Sequence, residues 1–245
     1  MKRISTAWMA AAKKLWWKLL LILVLMAAAE IGLLHWSIRV FHIEHDNRYV
    51  DSFLAAIERS KLKFVFLAAV VALTACCCLQ GSRFSGKNTY LLQRMPMAEW
   101  QLTVLWAMVH LAAFLILWAA QLLTVFVLWK QYLVGHPSSA PGLELLVSFY
   151  NNGFLHGILP LRDVSRWIIL LVFWLCMGWL TASFGFFQRR GQIPIGLLIM
   201  LGGYFFLTGE LGNVASCWIF IIVFLLNVAG NIHRMWGVYH EAQPD

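Results

Sequence analysis

The sequence predicts an all-α, polytopic membrane protein with six transmembrane helices and both termini in the cytoplasm. Hydrophobic residues make up 61% of the chain and charged residues 12%, whereas a soluble domain is about half apolar and about one quarter charged. The apolar residues fall into six stretches, and the basic residues cluster on one side of the membrane when the loops alternate. Helices are required because hydrocarbon offers no partners to backbone N–H and C=O groups.

Each predicted span is long enough, or nearly so, to cross a bilayer. About 20 apolar residues that rise about 1.5 Å each cover a hydrocarbon core of about 30 Å. The six spans are residues 19–38, 64–79, 102–128, 167–187, 193–207 and 214–230, of which the fifth is the shortest. The polar segments between them are shorter than a soluble domain of about 50 residues, so residues 1–245 are predicted to form a single transmembrane domain.

The net charge of +8 is distributed unequally between the two faces of the predicted bundle. With the N-terminus inside, the inner segments carry a net charge of +8 and the outer segments +1, while Glu30 lies within a span. Positively charged loops are retained in the cytoplasm, which places both termini there. A basic inner face meets anionic lipid, so the lipid bilayer is a sufficient partner for these charges and no nucleic acid is expected.

Two segments outside the spans are predicted to have structure of their own. Residues 1–18 combine five basic residues with three tryptophans, which is typical of an amphipathic helix in the inner interface. Residues 130–166 form the outer loop, whose apolar part, residues 143–161, is a competing candidate for a seventh span. An Asn-Asn-Gly break at residues 151–153 interrupts it, and a seventh crossing would put the arginine pair 189–190 outside. An interfacial or re-entrant segment that caps the outer mouth is therefore preferred.

The cytoplasmic segment between the second and third spans, residues 81–101, is predicted to be a short helix followed by a break. Pro96 is tolerated at a first helical position but disfavours helix at the residue before it. The apolar ridge of the short helix and the basic residues beside it are Leu91, Leu92 and Met95 with Lys87 and Arg94. Such a ridge either lies on lipid or fits a groove on a partner protein.

Residues 89–97 read Thr-Tyr-Leu-Leu-Gln-Arg-Met-Pro-Met. With this segment, six predicted spans and a basic N-terminus, the chain resembles the membrane subunit of type-2 ABC exporters. In that family a T-x-x-L-L-x-x-x-P pattern marks a coupling helix that docks into a separate ATPase subunit. Here the leucines and the proline are displaced by one or two positions. The resemblance implies an ATPase-coupling set of Lys87, Leu91, Leu92, Gln93, Arg94 and Met95, with Pro96 as the hinge into the third span.

The same resemblance implies the partners and the cofactors. Two permease chains, either two copies of this one or this one with a related chain, form the translocation route, and a dimer of ABC ATPase subunits drives it. ATP and Mg²⁺ bind to those ATPase subunits, so no cofactor is expected on this chain. The implied location is the cell membrane of a bacterium, and the implied cargo is hydrophobic or amphipathic.

Polar side chains inside the spans are candidates for the translocation route, because polar and charged groups are costly in hydrocarbon. They are Glu30, His110, Gln121 and Asn227. Glu30 has two interpretations of equal weight: its carboxylate faces the route or a dimer interface, or it reaches the outer interface and pairs with Arg39. Gln121 and Asn227 are explained more simply as interhelical hydrogen-bonding residues.

No catalytic or metal-binding pattern is evident, so no enzyme activity is predicted. The spans contain neither the G-x-S-G of an intramembrane serine protease nor the H-E-x-x-H of a metalloprotease. Residues 81–88, GSRFSGKN, lack the final Ser/Thr and the preceding strand of a phosphate-binding loop. Metal-ligand spacing occurs in the first outer loop, but no predicted element fixes these residues, and no metal site is expected. They are His42, Glu44, His45 and Asp46.

The function predicted from these features is that of a permease subunit of an ATP-driven ABC exporter. The alternative is a non-transporting membrane anchor, sensor or immunity subunit that holds a partner through the same inner helix. The two hypotheses differ in whether an associated ATPase is stimulated by this chain.

Overall fold

A computed structural model describes residues 2–45, 52–81, 99–135, 141–161, 163–192, 195–207 and 214–241. All regular secondary structure within these ranges is α-helical, which confirms the all-α part of the predicted fold class. The helices are α1 (Lys2–His45), α2 (Phe53–Ser60), α3 (Leu62–Gly81), α4 (Glu99–Gly135), α5 (Pro141–Asn151), α6 (Gly153–Ile158), α7 (Val164–Arg189), α8 (Gly196–Leu207) and α9 (Val214–Glu241).

Five helices contain a segment long and apolar enough to cross a membrane. These segments are Leu15–Val40 in α1, Leu62–Gln80 in α3, Glu99–Val134 in α4, Val164–Arg189 in α7 and Val214–Gly237 in α9. They correspond to the first four predicted spans and to the sixth.

The fifth predicted span, residues 193–207, differs from the structure. It contains α8, whose 12 residues cover about 18 Å, which is less than the thickness of the hydrocarbon core. A helix start close to Pro194 is reasonable, because proline lacks an N–H and is tolerated only in a first helical turn. The described residues therefore contain five helices of spanning length and one short apolar helix.

Helix α7 is the centre of the bundle, with α3, α4, α8 and α9 packed around it. It runs antiparallel to α4. Arg189 at the C-terminal end of α7 lies 2.7 Å from Glu99 at the start of α4, and Trp167 near the beginning of α7 contacts Trp118, further along α4, with ring centroids 6.3 Å apart.

Helix α9 runs parallel to α7. Phe173 of α7 packs on Phe224 of α9 with ring centroids 5.8 Å apart, and later in both helices Phe187 packs with Met235. Two neighbouring parallel helices require the chain to return between them, because each begins at the same end of the bundle.

Helix α8 makes this return. Asn227 donates a hydrogen bond of 2.8 Å to the carbonyl of Gly196 at the start of α8, whereas Phe206 near the end of α8 packs on Phe220, earlier in α9. α8 is thus antiparallel to α9. We call the end of the bundle where α7 finishes the Arg189 end. The opposite end, where α7 begins, is the Asn152 end.

A cluster of buried aromatic rings joins the helices around α7. Tyr204 of α8 stacks on Phe173 with ring centroids 4.5 Å apart, and Phe114 of α4 stacks on Trp174 at 5.7 Å. Phe66 of α3 contacts Tyr204 at 6.2 Å. Aromatic pairs contribute about 0.5–1.5 kcal/mol each beyond their burial, so this cluster holds α3, α4 and α8 against α7 at one level.

The first helix is continuous where a separate interfacial helix was predicted. α1 extends without a break from Lys2 to His45, and Leu15 and Leu19 on either side of Lys18 are buried in the bundle. The position of residues 1–18 relative to the membrane surface stays a prediction.

The apolar part of the predicted outer loop forms two short helices rather than one spanning helix. α5 ends at Asn151, and Asn152 then caps α6, its Oδ1 accepting hydrogen bonds of 3.0 Å from the N–H groups of both Phe154 and Leu155. The Trp118 indole N–H donates to the carbonyl of Ile158 at 2.9 Å. These contacts fix α6 across the Asn152 end of α4.

Gly178 of α7 provides a test of the α4–α7 contact. A Cβ at this position would lie 3.0 Å from both the Ala107 carbonyl oxygen and the Leu111 Cβ of α4. We expect Gly178→Leu to lower the free energy of unfolding by about 1–3 kcal/mol, since overpacking forces the two backbones apart. Equilibrium unfolding in mixed detergent micelles measures this, with Gly202→Leu as the control because a Cβ there meets nothing within 4 Å. Equal effects of the two substitutions would contradict the prediction.

Candidate functional site

The predicted coupling residues lie outside the described residues, and the structure describes the helices that they connect. Those residues are Lys87, Leu91, Leu92, Gln93, Arg94, Met95 and Pro96. Helix α3 ends at Gly81, and α4 begins at Glu99, three positions after Pro96. The candidate functional site is therefore the Arg189 end of the α4–α7 contact, where the segment that contains the predicted coupling residues, 82–98, joins the bundle.

Glu99 is held there by two arginines of the α7 terminus, and we call these three residues the Glu99 clamp. Its Oε1 accepts a hydrogen bond of 2.7 Å from Arg189 Nη2, and its Oε2 accepts one of 2.8 Å from Arg190 Nη2. The Arg190 guanidinium also stacks on the ring of Phe186 at 3.7 Å from the ring centre. Charge-assisted bonds of this length are about twice as strong as neutral ones. The clamp joins the first residue of α4 to the last turn of α7.

The sequence did not predict this pairing. The arginine pair served there only as an indication of the inner face. The sequence does contain a signal for this pairing. An acidic residue, Glu99, lies at the start of the third predicted span, and two arginines lie at the end of the fourth, which has a comparable length. Antiparallel packing brings these two ends to the same level, although hydropathy does not show which spans are neighbours.

A seam of polar side chains continues from the clamp into the α4–α7 contact. Thr181 donates its single hydroxyl proton to the Met177 carbonyl at 2.7 Å, so it accepts from His110 Nδ1 at 3.1 Å. A neutral imidazole then carries its proton on Nδ1. His110 Nε2 is buried without a partner among the described residues, and His110 lines a cavity of about 20 Å³ that extends to Glu99 and Arg189. This volume is close to that needed by one water molecule.

Glu30 and Gln121 form a second buried polar pair, between α1 and α4. Gln121 Nε2 donates to Glu30 Oε2 at 3.1 Å, and both residues are 0% exposed. The Oε1 atom of each has no partner in the described part of the chain. Glu30 thus points into the bundle and binds Gln121. The alternative interpretation, a pairing with Arg39, is not found among the described residues.

The four residues proposed for a translocation route are not assembled into one site. Glu30 and Gln121 lie together, but His110 is 11 residues from Gln121, about 16 Å along α4, in the contact with α7. Asn227 lies in the α8–α9 contact, where it donates to the Gly196 carbonyl. These residues therefore join helices in three separate contacts of this chain.

The described residues contain no group of three or more His, Cys, Asp or Glu side chains that could hold a metal ion. His42, Glu44, His45 and Asp46 lie outside the part of the chain whose side chains are described. Comparisons with protein-family models, with curated proteins and with solved structures found no match for this chain.

The Glu30–Gln121 hydrogen bond can be measured by a double-mutant cycle. We expect Glu30→Ala and Gln121→Ala to be less destabilising together than the sum of the single changes, with a coupling of about 0.6–1.7 kcal/mol, as for polar pairs between membrane helices. Each single change leaves a buried polar group without its partner. Unfolding in mixed micelles gives the four free energies. Thr181→Ala, which lies in another contact, should be additive with Glu30→Ala; an additive Glu30–Gln121 pair would refute the prediction.

Proposed function

We propose that this chain is a permease subunit of an ATP-driven ABC exporter. In this proposal a dimer of separate ATPase subunits binds residues 81–101, and a second copy or a related permease completes the translocation route. ATP and Mg²⁺ bind to the ATPase subunits, and this chain has no hydrolytic role. The observation that supports the proposal best is the Glu99 clamp, which ties the start of α4 to α7 directly after the coupling segment.

The clamp provides a physical path for the coupling. A force applied by the ATPase near Leu91–Met95 passes through Pro96 to Glu99 and hence to Arg189 and Arg190. Because Gly178 allows close packing of α4 on α7, the two helices move together. Helix α7 also packs against α3, α8 and α9, so its displacement reaches the remaining helices. A buried packed interface transmits a shift of this kind because it is difficult to deform.

Six crossings with both termini in the cytoplasm are part of the proposal. The support is the parallel arrangement of α7 and α9, which requires the chain to return from the Arg189 end to the Asn152 end through α8. An even number of crossings then leaves both termini on the side of the clamp. The basic residues at that end, among them Arg189, Arg190 and Arg234, agree with a cytoplasmic location. The membrane is proposed to be a bacterial cell membrane.

Coupling predicts that two variants lose stimulation of the ATPase while they still assemble with it. With the ATPase co-purified, we expect Arg94→Glu combined with Leu91→Ala, and separately Glu99→Gln, to reduce the stimulated ATPase rate by about fivefold or more, which is the lower range of coupling between sites. Glu99→Gln acts because the neutral amide cannot hold both arginines. Size-exclusion chromatography with ATPase assays measures both properties. Glu58→Gln, an exposed carboxylate on α2, is the matched control.

Two results would contradict the transport proposal. If Glu99→Gln left stimulation unchanged while assembly was intact, the clamp would not transmit the force. If no ATPase co-purified with the chain, the non-transporting anchor, sensor or immunity subunit would be favoured. The reading frame adjacent to this one gives a first indication, because a neighbouring ATPase frame supports the transport hypothesis.

Six crossings predict a labelling pattern for single cysteines in a variant without the five native cysteines. Val164→Cys and Val214→Cys, at the starts of α7 and α9, should both react with a membrane-impermeant maleimide in intact cells. Lys13→Cys and His233→Cys should react only after permeabilisation. Labelling of residues 164 and 214 from opposite sides would show that α8 does not cross.

A further inference from the structure

A cleft of about 260 Å³ opens between the end of α7, the start of α8 and the second half of α9. It lies at the Arg189 end and is separate from the Glu99 clamp and from the α4–α7 seam. The side chains that give it chemical character are Gln192, Asn231 and Arg234 on the polar side and Ile195, Ile199 and Leu226 on the apolar side. Of the residues predicted for the translocation route, Asn227 lines this cleft, and the coupling residues are not among those that line it.

The polar side of the cleft presents hydrogen-bond donors. Asn231 is 8% exposed, and its Oδ1 accepts from the Trp179 indole N–H at 3.2 Å, which leaves its NH₂ group as a donor. Arg234 lines the cleft beside it, and its guanidinium has no ion pair within the described residues. The start of α8 also borders the cleft, and a helix N-terminus favours an anion. One positive charge and several N–H groups therefore face the same space.

The apolar side of the cleft is continuous with the surface of the bundle that faces lipid. Ile195, Ile199 and Leu226 are 65%, 48% and 66% exposed, and Ile199 and Leu226 belong to the apolar helices α8 and α9. The cleft is thus cationic at one end of the bundle and hydrocarbon-like towards the membrane interior. A soluble anion would be complementary only to the cationic part of the cleft.

Two glycines determine the shape of the cleft. A Cβ at Gly196 would clash with Asn227 Oδ1, so the close approach of α8 to α9 requires glycine there. A Cβ at Gly230 meets nothing within 4 Å, although Gly230 lines the cleft. Glycine at this position therefore leaves space open, and a larger side chain would occupy it without a clash at its Cβ.

We propose that this cleft binds an anionic phospholipid, with the phosphate at Arg234 and Asn231 and an acyl chain along Ile199 and Leu226. Arginine matches phosphate because its planar guanidinium offers parallel N–H donors. A lipid is favoured over a soluble phosphate because the cleft opens sideways onto the apolar surface. This proposal does not depend on coupling to an ATPase.

The test uses the full chain reconstituted in vesicles of equal parts phosphatidylglycerol and phosphatidylcholine, extracted in detergent and analysed by native mass spectrometry. We expect one phosphatidylglycerol to stay bound per chain in preference to phosphatidylcholine. Arg234→Gln removes the charge and should lower the occupancy about tenfold, as expected for loss of a charge-assisted contact. Gly230→Leu should lower it to a similar extent, because the added side chain fills the cleft. The matched controls are Gly237→Leu, where a Cβ also meets nothing within 4 Å, and the exposed Lys13→Gln.

The outcomes separate a specific lipid from its alternatives. Retention in both controls with loss in both cleft variants, at unchanged unfolding midpoints, supports the proposal. Unaltered binding in Gly230→Leu, or equal loss in Gly237→Leu, overturns it in favour of general surface lipid. Displacement of phosphatidylglycerol by millimolar inorganic phosphate overturns the lipid assignment and identifies a soluble anion as the ligand.

Discussion

The close contact between α4 and α7 is the interaction on which the rest of the bundle depends. Apolar side chains gain little by leaving lipid for a protein interior, so membrane helices associate through tight packing and polar contacts. This contact has both, with Gly178 against the α4 backbone, Glu99 between two arginines at one end and paired tryptophans at the other. Once α4 fixes one side of α7, its remaining surface is available to α3, α8 and α9.

The positions of the long helices were predictable, and their partners were not. The length of an apolar stretch is a local property, so five spans could be read from hydropathy. Which helices are neighbours depends on how each helix is rotated about its axis. A segment that is apolar on all sides gives no indication of this rotation. Glu99 illustrates this limit, since its charge is visible in the sequence and its partners are about ninety residues away. The fifth span was already predicted to be the shortest, and α8 begins three residues later than that span, after Pro194.

The four polar residues proposed for a translocation route lie in three separate helix contacts, and their shared role stays a prediction. Gln121 and Asn227 make interhelical hydrogen bonds, as their chemistry suggested, and Glu30 binds Gln121. Each contact satisfies a polar group that would otherwise be costly in hydrocarbon. The described residues do not outline a route lined by polar groups, and in the proposed function two permease chains form it. The cleft at Arg234 was also missed, although Asn227, Asn231 and Arg234 recur at i, i+4 and i+7 on one face of α9.

The cap at Asn152 bears on the number of times that the chain crosses the membrane. Its side chain replaces two backbone acceptors and thereby separates an 11-residue helix from a 6-residue one. A single helix through the same residues, Pro141 to Ile158, would be about 27 Å long, close to a full crossing. This seventh crossing would reverse the membrane orientation of every helix that follows. The arginine pair 189–190 and the C-terminus would then lie on the other face of the membrane. In the proposed topology, the Asn152 cap therefore keeps these residues from forming a seventh crossing.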